Sequence, residues 1–555
     1  MYISTCDLVG RTLKEATGRE DVLLVFGGEH ADLASTVAFA LAKERKEAPM
    51  KIATELVSAI SDRLMSEAGV RVQATGPYIN FHFEGSYASR VLKQAVMPGY
   101  GSLPARSERV VLEHTSANPN GPLHVGHIRN TILGDTLARC FRKAGYRVEV
   151  QYYVNDMGRQ IAIVAWGVER QNADLTISRK GDHLIADVYI EANRQLESDK
   201  SLNAEIDSLM QRVEAGDAAV IQRFKVPVKR CLDGFKDTLA ALHAKHDRFV
   251  YESDFVRNGD TSKILAYISR MPEAVHDETL GLDLSAYGFE KKYILRRSDG
   301  TSVYAARDIA FHIWKGQNFD RVIDVLGADH KLIGGQLRAT MDLLGKNVPE
   351  IVFFEFVSLP EGSMSTRRGT FVSADELIEE AGQRAMEEVT ARRPELDEPT
   401  RAAIAKGVAA AAIRYDIVKT IPEKSTVFDW KEALDFEKQS GPYIQYAHAR
   451  ACSILDKAGS FPFCYECEGE SEITLAKHIG RFPQILTQVV DELKPHLLAI
   501  YARELADLFS SFYHAEPVLK AQGDVRNRRL TLVDATRNTL KEALETLGID
   551  ALRAM

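Results

Sequence analysis

The stretch that most narrows the fold of this chain is residues 110–160. Val110-Val111-Leu112 is a short apolar run suited to a buried strand, and Ile128, Ile132, Leu133, Leu137, Cys140 and Phe141 then recur at helical spacing. Gly145 stops that helix, and residues 147–153 carry the β-branched and aromatic content of a second strand. The result is a β-loop-α-β unit of an open α/β sheet, with His124-Val125-Gly126-His127 where the loop enters the helix. A helix N-terminus offers unpaired N–H groups and the positive end of the helix dipole, so it attracts anions. Two imidazoles there can donate hydrogen bonds to phosphate oxygens as negative charge builds in a transition state. Gly126, lacking a side chain, leaves the backbone open to a base or ribose. The pattern points to a nucleoside triphosphate.

With 555 residues the chain has room for roughly three to five domains. A net charge of −8 argues against a generally basic nucleic-acid binder, though not against one with its positive charge on one face. The six cysteines are scattered, as in a reducing compartment, and the single Cys464-Tyr-Glu-Cys467 has no second pair nearby, so no metal site is assigned. No signal core or membrane-length apolar run is present, and the cytoplasm is the expected location.

Read in order, residues 1–104 form a small α/β unit with helical patterns over 22–41, 50–68 and 87–96 and strands over 70–74 and 78–83. Tyr78, Phe81 and Phe83 read as core, with Asn80 on the opposite face from Phe81. Residues 105–350 form a Rossmann-type domain interrupted over about 167–290 by a charged helical insertion, clearest over 196–209 and 228–243. Its second half opens with a hairpin, 293–297 against 303–305 around Ser298-Asp299-Gly300-Thr301, followed by a helix over 307–317. A buried strand over 321–326 then ends in Gly327-Ala328-Asp329-His330 at the head of another helix. In open parallel sheets ligands bind at the carboxyl ends of strands, where both this loop and the His124–His127 loop fall. Residues 351–400 hold a Gly/Ser-rich basic loop, and 401–555 read as a helical bundle with helices over 402–413, 438–455, 473–490, 494–512 and 527–547. Pro442 and Pro483 delay or break two of these. The run from Lys520 to Lys541 carries Lys520, Arg526, Arg528, Arg529, Arg537 and Lys541 against Asp524 and Asp534, a locally basic stretch.

Several segments resemble the class I aminoacyl-tRNA synthetases, and arginyl-tRNA synthetase in particular. They are Glu113-His114-Thr115-Ser116-Ala117-Asn118-Pro119-Asn120, His124-Val125-Gly126-His127 as the first class signature, Asn155-Asp156-Met157-Gly158-Arg159-Gln160 and Tyr304-Ala305-Ala306-Arg307-Asp308. Asp429-Trp430, residues 440–448 and Phe509-Ser510-Ser511-Phe512-Tyr513-His514 resemble the family's anticodon-binding domain, and residues 76–81 the end of its N-terminal additional domain.

The resemblance implies a multidomain α/β plus α protein that ligates L-arginine to its tRNA through an arginyl-adenylate. MgATP would be a substrate, with no permanently bound cofactor and no membrane partner, and the chain would act as a monomer. It implies His124 and His127 on the phosphates, with Gly126, Gly327, Asp329, His330 and Met364 around ATP. Tyr304 and Asp308 would hold the guanidinium, whose planar fork of donors matches a carboxylate, and Glu113 and Asn118 the rest of the amino acid. A Tyr and an Asp at i and i+4 share a face if the helix begins early enough. Asn80, Tyr443, Tyr446, Tyr513 and Met555 are implied tRNA contacts, the tyrosines as stacking platforms beside the basic run. Ser363-Met364-Ser365-Thr366-Arg367-Arg368-Gly369 stands in place of the second signature, with Ser363 and Thr366 where the family has lysines. Some members compensate with a lysine where this chain has Gly121, so Ser365, Arg367 and Arg368 are expected to close over pyrophosphate. Gly327 stands where some members carry a glutamine. A non-catalytic tRNA-binding relative and a same-class synthetase for lysine stay open at this level.

Overall fold

The computed structural model describes residues 1–28, 30–298, 300–358 and 372–555. The N-terminal unit runs α1 (Tyr2–Thr17), β1 (Leu24–Phe26), β2 (Leu33–Ser35), α2 (Val37–Arg45), α3 (Pro49–Ala68), β3 (Val70–Thr75), β4 (Tyr78–Phe83) and α4 (Gly85–Ala95), with an antiparallel sheet ordered β1-β2-β4-β3. The helix expected over 22–41 is instead two short strands, and a helix begins only at Val37. Gly27 and Gly28 are the reason: a Cβ on Gly27 would lie 2.4 Å from the Ala31 carbonyl oxygen, and Gly28 has φ 65°. The chain turns back there in a shape open only to glycine.

The central region continues with β5 (Arg109–Glu113), α5 (Val125–Lys143), β6 (Arg147–Val154), α6 (Arg159–Arg170), α7 (Gly181–Ser198), α8 (Asn203–Glu214), α9 (Ala218–Ala241) and β7 (Arg248–Tyr251). Next come α10 (Glu252–Arg257), α11 (Asp260–Ile268), β8 (Ala274–His276), β9 (Leu280–Leu282), β10 (Tyr293–Arg296), α12 (Tyr304–Asn318), β11 (Arg321–Gly327), α13 (Lys331–Leu343) and β12 (Glu350–Phe354). Five of these strands form one parallel sheet ordered β12-β11-β5-β6-β7. Val110, Val111 and Leu112 of β5 are completely buried, as expected of a central parallel strand covered on both faces. From β5 the chain builds outward through β6 and β7, then returns to the other side for β11 and β12. The order therefore reverses between β5 and β11, the switch point at which open parallel sheets form a ligand crevice outside the strands' carboxyl ends.

Three expectations for this region need correction. The stretch over 167–290 is not wholly a helical insertion, because residues 248–251 supply the edge strand β7 of the main sheet. The helical pattern over 196–209 is broken between α7 and α8 at Asp199. The hairpin over 293–305 has only one regular strand: β10 pairs with β9, a single bridge joins Arg296 to Ser302, and α12 begins at Tyr304.

Apart from a short parallel pair of strands, Val357–Ser358 with Thr426–Val427, the described remainder is helical: α14 (Ala374–Arg392), α15 (Glu398–Val418), α16 (Trp430–Ala433), α17 (Gly441–Ala458), α18 (Glu470–Gly480), α19 (Phe482–Glu492), α20 (His496–Ala515) and α21 (Gly523–Thr546). Pro442 and Pro483 sit in the first turns of α17 and α19, where a missing N–H costs nothing. The single helix expected over 473–490 is thus two. The fully buried Arg414 of α15 clamps this bundle to the central domain, donating to Asp135 of α5 at 2.6 Å and to the Leu242 and Leu547 carbonyls.

The N-terminal unit docks on the same bundle. Lys477 pairs with Asp32 at 2.8 Å, Tyr100 donates to the Ile479 carbonyl at 3.0 Å, and Asn538 donates to the Val96 carbonyl at 2.9 Å. Cys467 is buried in this seam, its carbonyl oxygen 2.6 Å from where a Cβ on Gly85 would lie. No described helix is long and apolar enough to cross a membrane.

Candidate active site

The histidine pair forms its own helix cap. His124 is the N-cap of α5; its Nδ1 accepts from the Gly126 N–H at 3.1 Å, and its own N–H donates to His127 Nδ1 at 3.2 Å. The rings stack with centroids 3.6 Å apart. Because both Nδ1 atoms accept backbone protons, each neutral ring carries its hydrogen on Nε2. Burial lowers the pKa of His124, and burial together with the His124 ring pushes His127 down to about 3. Both are therefore neutral donors near pH 7. A Cβ on Gly126 would lie 2.9 Å from His124 Cε1, so this glycine first makes room for the folded-back imidazole.

The loop leaving β5 is held in an unusual shape. Thr115 and Ser116 have φ of 70° and 38°, a region non-glycine residues seldom occupy. Asn130 of α5 accepts from the Thr115 N–H at 2.8 Å, while Ser116 Oγ donates to Glu113 at 2.9 Å and accepts from the Tyr153 N–H at 3.0 Å. This turn delivers Asn118 to the loop after β6. There Asn118 donates to Gln160 at 2.8 Å and accepts from Asn155 at 3.1 Å, and Asn155 in turn caps the Gly158 N–H at 3.0 Å. Tyr304 reaches the same loop: its hydroxyl lies 2.5 Å from where a Cβ on Gly158 would be.

Because α12 begins at Tyr304, Tyr304 and Asp308 both lie within its first turns. Behind Asp308 the helix is charged where periodicity would place apolar residues. His312 contacts Asp308 Oδ1 at 3.1 Å and Asp324 of β11 at 2.8 Å, and Lys315 contacts Asp324 at 2.7 Å and Glu113 at 2.5 Å. Burial and Lys315 would lower the pKa of His312, but Asp308 and Asp324 outweigh them and hold it at about 10. Burial raises Glu113, opposed by Lys315. Asp324, for which burial also favours the neutral form, is held well below the carboxylate range by Lys315 and His312. Beside Asp308 on the chain, Arg307 donates to the buried Glu252 at 2.8 Å; burial lifts Glu252 to about 7 even so.

These second-rank groups were not anticipated from sequence. The available signal was an aspartate inside the apolar run of β11, together with His312 and Lys315 four and seven residues after Asp308. Two clusters have spacings that suit a metal ion, Glu113/His312/Asp324 and Asp182/His183/Asp375. In each, a lysine already makes the contacts, Lys315 in the first and Lys180 in the second, the latter 3.0 Å from Asp182 and 2.6 Å from Asp375.

Gly327 ends β11 beside this crevice, and the exposed Asp329 and His330 follow, 3.2 Å apart. Met364, Ser365, Arg367 and Arg368 lie outside the described residues. Both flanks of that loop are tied to the first signature. The His124 backbone bridges Ser373, the Ala374 N–H donates to the Leu123 carbonyl at 2.7 Å, and the fully buried Arg129 donates to the carbonyls of Glu355 and Phe356 before the loop.

The expected tRNA contacts are scattered by comparison. Asn80 is buried, donating to Thr75 at 3.1 Å, whereas Tyr78, expected in the core, is 47% exposed and lies edge-on to Phe39. Phe81 and Phe83 are core residues. Tyr443 donates to Asp507 at 2.9 Å, and Met555 packs on the core with its main-chain oxygen accepting from Arg393. Tyr446 and Tyr513 flank one guanidinium, that of Arg450, at 5.0 and 5.4 Å from their ring centroids. The basic run does not supply this charge: Arg528 pairs with Glu468 and Glu472, Arg529 with Glu472 and Glu516, and Arg537 with Asp534.

Known families match this chain over most of its length. An arginyl-tRNA synthetase N-terminal domain matches residues 9–83, a class I (R) tRNA synthetase catalytic domain residues 91–430, and a DALR anticodon-binding domain residues 444–555. The chain is 74% identical to the arginine–tRNA ligase of Methanospirillum hungatei and 64% identical to that of Methanoregula boonei, with all of both chains covered in each case. Among solved structures it resembles Thermus thermophilus arginyl-tRNA synthetase with a TM-score of 0.85 and 31% identity, over 99% of this chain and 100% of that one. The catalytic-domain match over residues 91–430, the full-length identity to arginine–tRNA ligases and the full-length structural match agree, and the chain belongs to the arginyl-tRNA synthetase family.

Proposed function

We propose the following division of labour for the ATP-dependent ligation of L-arginine to its tRNA. The arginine carboxylate attacks the α-phosphorus of MgATP, the bond to the β-phosphate oxygen breaks, and pyrophosphate leaves arginyl-adenylate behind. A hydroxyl at the 3′ end of tRNA then attacks the adenylate carbonyl and releases AMP. No protein nucleophile takes part; the chain positions reactants and stabilises charge.

His124 and His127 donate from Nε2 to the phosphates, Gly126 gives the nucleotide access, and Gly327, Asp329, His330 and Met364 lie around it. Asp308 and Tyr304 read the guanidinium, while Glu113 and Asn118 hold the remainder of the amino acid. Ser365, Arg367 and Arg368 close over pyrophosphate in place of the two missing lysines. Asn80, Tyr443, Tyr446, Tyr513 and Met555 are assigned to tRNA, with Tyr446 and Tyr513 the strongest of the set because Arg450 lies between them. No step calls on a second copy, so the reading is of a monomer, working in the cytoplasm.

The observation that supports this reading is the convergence of Glu113, Asn118, Tyr304 and Asp308, from two segments far apart in sequence that both reach the Asn155–Gly158 loop or the Lys315 and His312 side chains, at the carboxyl ends of β5 and β11. Arginine-dependent exchange of pyrophosphate into ATP, measured with and without tRNA, is the test. Exchange that needs both arginine and tRNA is expected. No exchange under any condition would leave only tRNA binding, and exchange with lysine in place of arginine would reassign the pocket.

A further inference from the structure

Lys315 is completely buried and His312 nearly so, yet both are charged groups in the interior of a sheet domain. The helix explains their meeting: residues 308, 312 and 315 stand at i, i+4 and i+7 on α12, one stripe that faces β11 and β5. His312 Nδ1 donates to the Asp308 carbonyl oxygen at 2.8 Å and lies 3.1 Å from Asp308 Oδ1. A carbonyl oxygen only accepts, so Nδ1 carries a hydrogen. Nε2 faces Asp324 Oδ2 at 2.8 Å, and the other Asp324 oxygen accepts from Lys315. Lys315 Nζ lies 3.4 Å from the same Nε2, but the ionised Asp324 carboxylate at 2.8 Å can only accept, so Nε2 donates to it and the ring is an imidazolium. Lys315 completes the line with its contact to Glu113 Oε2, and its ammonium also lies over the Phe311 ring, 4.1 Å from the ring centroid.

We propose that His312, Asp324 and Lys315 are positioning residues that tie Asp308 to Glu113, so that the two acids offered to arginine keep one fixed orientation. The proposal rests on the reading of those two acids as arginine contacts. Three carboxylates (Glu113, Asp308 and Asp324) face two cations, which leaves one negative charge over. That charge is most accessible on Asp308, whose side chain is 30% exposed against 12% for Glu113 and 4% for Asp324. Asp308 uses Oδ1 toward His312, and its Oδ2 has no other protein partner among the described residues. An arriving guanidinium can therefore neutralise the set by meeting an oxygen already aimed by the imidazolium. A half-buried carboxylate without such an anchor would be free to rotate, and the fork-to-fork geometry would be lost.

The test uses the full chain, with tRNA present, in pyrophosphate exchange. His312→Gln is expected to raise the arginine KM roughly tenfold while the ATP KM stays within about twofold, the split that marks lost substrate positioning. Lys315→Met approaches from the other end and should give the same split; if that variant does not fold, His312→Gln carries the test alone. In an Asp308→Asn background His312→Gln should add almost nothing, because its route to the substrate is already cut. An arginine KM that is unchanged or lower in His312→Gln would overturn the proposal, since removing a cation would then merely have left a more attractive negative pocket. Additivity with Asp308→Asn would overturn it as well. If Asp308→Asn alone leaves the arginine KM unchanged, the assignment of Asp308 fails first, and this proposal with it.

Discussion

At the mouth of α5 two histidines are held neutral, while on α12, across the same sheet edge, a third is held charged. Burial presses all three toward the neutral form. At α5 the neighbour that matters to His127 is the other imidazole, which adds to that pressure. On α12 the neighbours are Asp308 and Asp324, which reverse it. The difference follows the chemistry each end would perform. A neutral Nε2–H strengthens its hydrogen bond as phosphate charge develops, so it favours the transition state over bound MgATP. A fixed imidazolium suits a pocket whose task is to keep acids aligned for a cationic substrate.

Removing one donor from the phosphate end should have the largest effect. His127→Asn keeps an acceptor for the His124 N–H but withdraws Nε2, and the activation rate should fall about 100-fold or more with the arginine KM near wild type. A loss below tenfold in pyrophosphate exchange would break the contrast between the two ends. At the acid end, Asp308→Asn removes a charge-assisted contact and should raise the arginine KM by roughly 30- to 100-fold with little change for ATP. Equal changes for both substrates would contradict its role. The paired Arg367→Ala, Arg368→Ala variant should slow activation by roughly tenfold, and an unchanged rate would require another cation over pyrophosphate.

Stability against pH sharpens the comparison further, because the two ends carry opposite signs. His312 is raised from 6.5 to about 10 on folding, so its contribution is complete below pH 6.5 and is lost as the pH climbs toward 10. His127 is lowered from 6.5 to about 3, so the unfolded chain takes up its proton first and stability falls as the pH drops below 6.5. Urea midpoints across pH should show His312→Gln flattening the alkaline limb and His127→Asn flattening the acid one. The smallest effect on the urea midpoint is expected from Gly126→Ala, whose methyl would meet the His124 ring at 2.9 Å; displacing that ring from its cap should cost about 1 kcal/mol.

Much of this site is legible in the chain because it is built from local patterns. The helical spacing after His127 and the strand-like runs on either side of that helix place the imidazoles at a helix mouth whatever lies beyond. Tyr304 and Asp308 were readable as one face on the condition that the helix starts early, and it starts at Tyr304. The failures share a cause as well. Asn80 alternates away from Phe81 as a strand requires and shares a face with the exposed Tyr78, but it lies at the middle of a strand paired on both edges and its amide is held on Thr75, so alternation did not mean exposure. Residues 520–541 are basic in composition, yet three of the arginines are spent on Glu468, Glu472, Glu516 and Asp534, and the guanidinium beside the tyrosines belongs to Arg450.

The sequence by itself determined where helices and strands carry chemistry, since periodicity and capping depend on near neighbours. Only the tertiary structure decided the ionisation of that chemistry. Protonation depends on which groups share a desolvated space, and Glu113, Asp308 and Asp324 arrive there from β5, α12 and β11, segments with no pattern in common. The same holds for β7, too short to announce itself, which joins the main sheet only because the carboxyl half of β6 has an edge to fill.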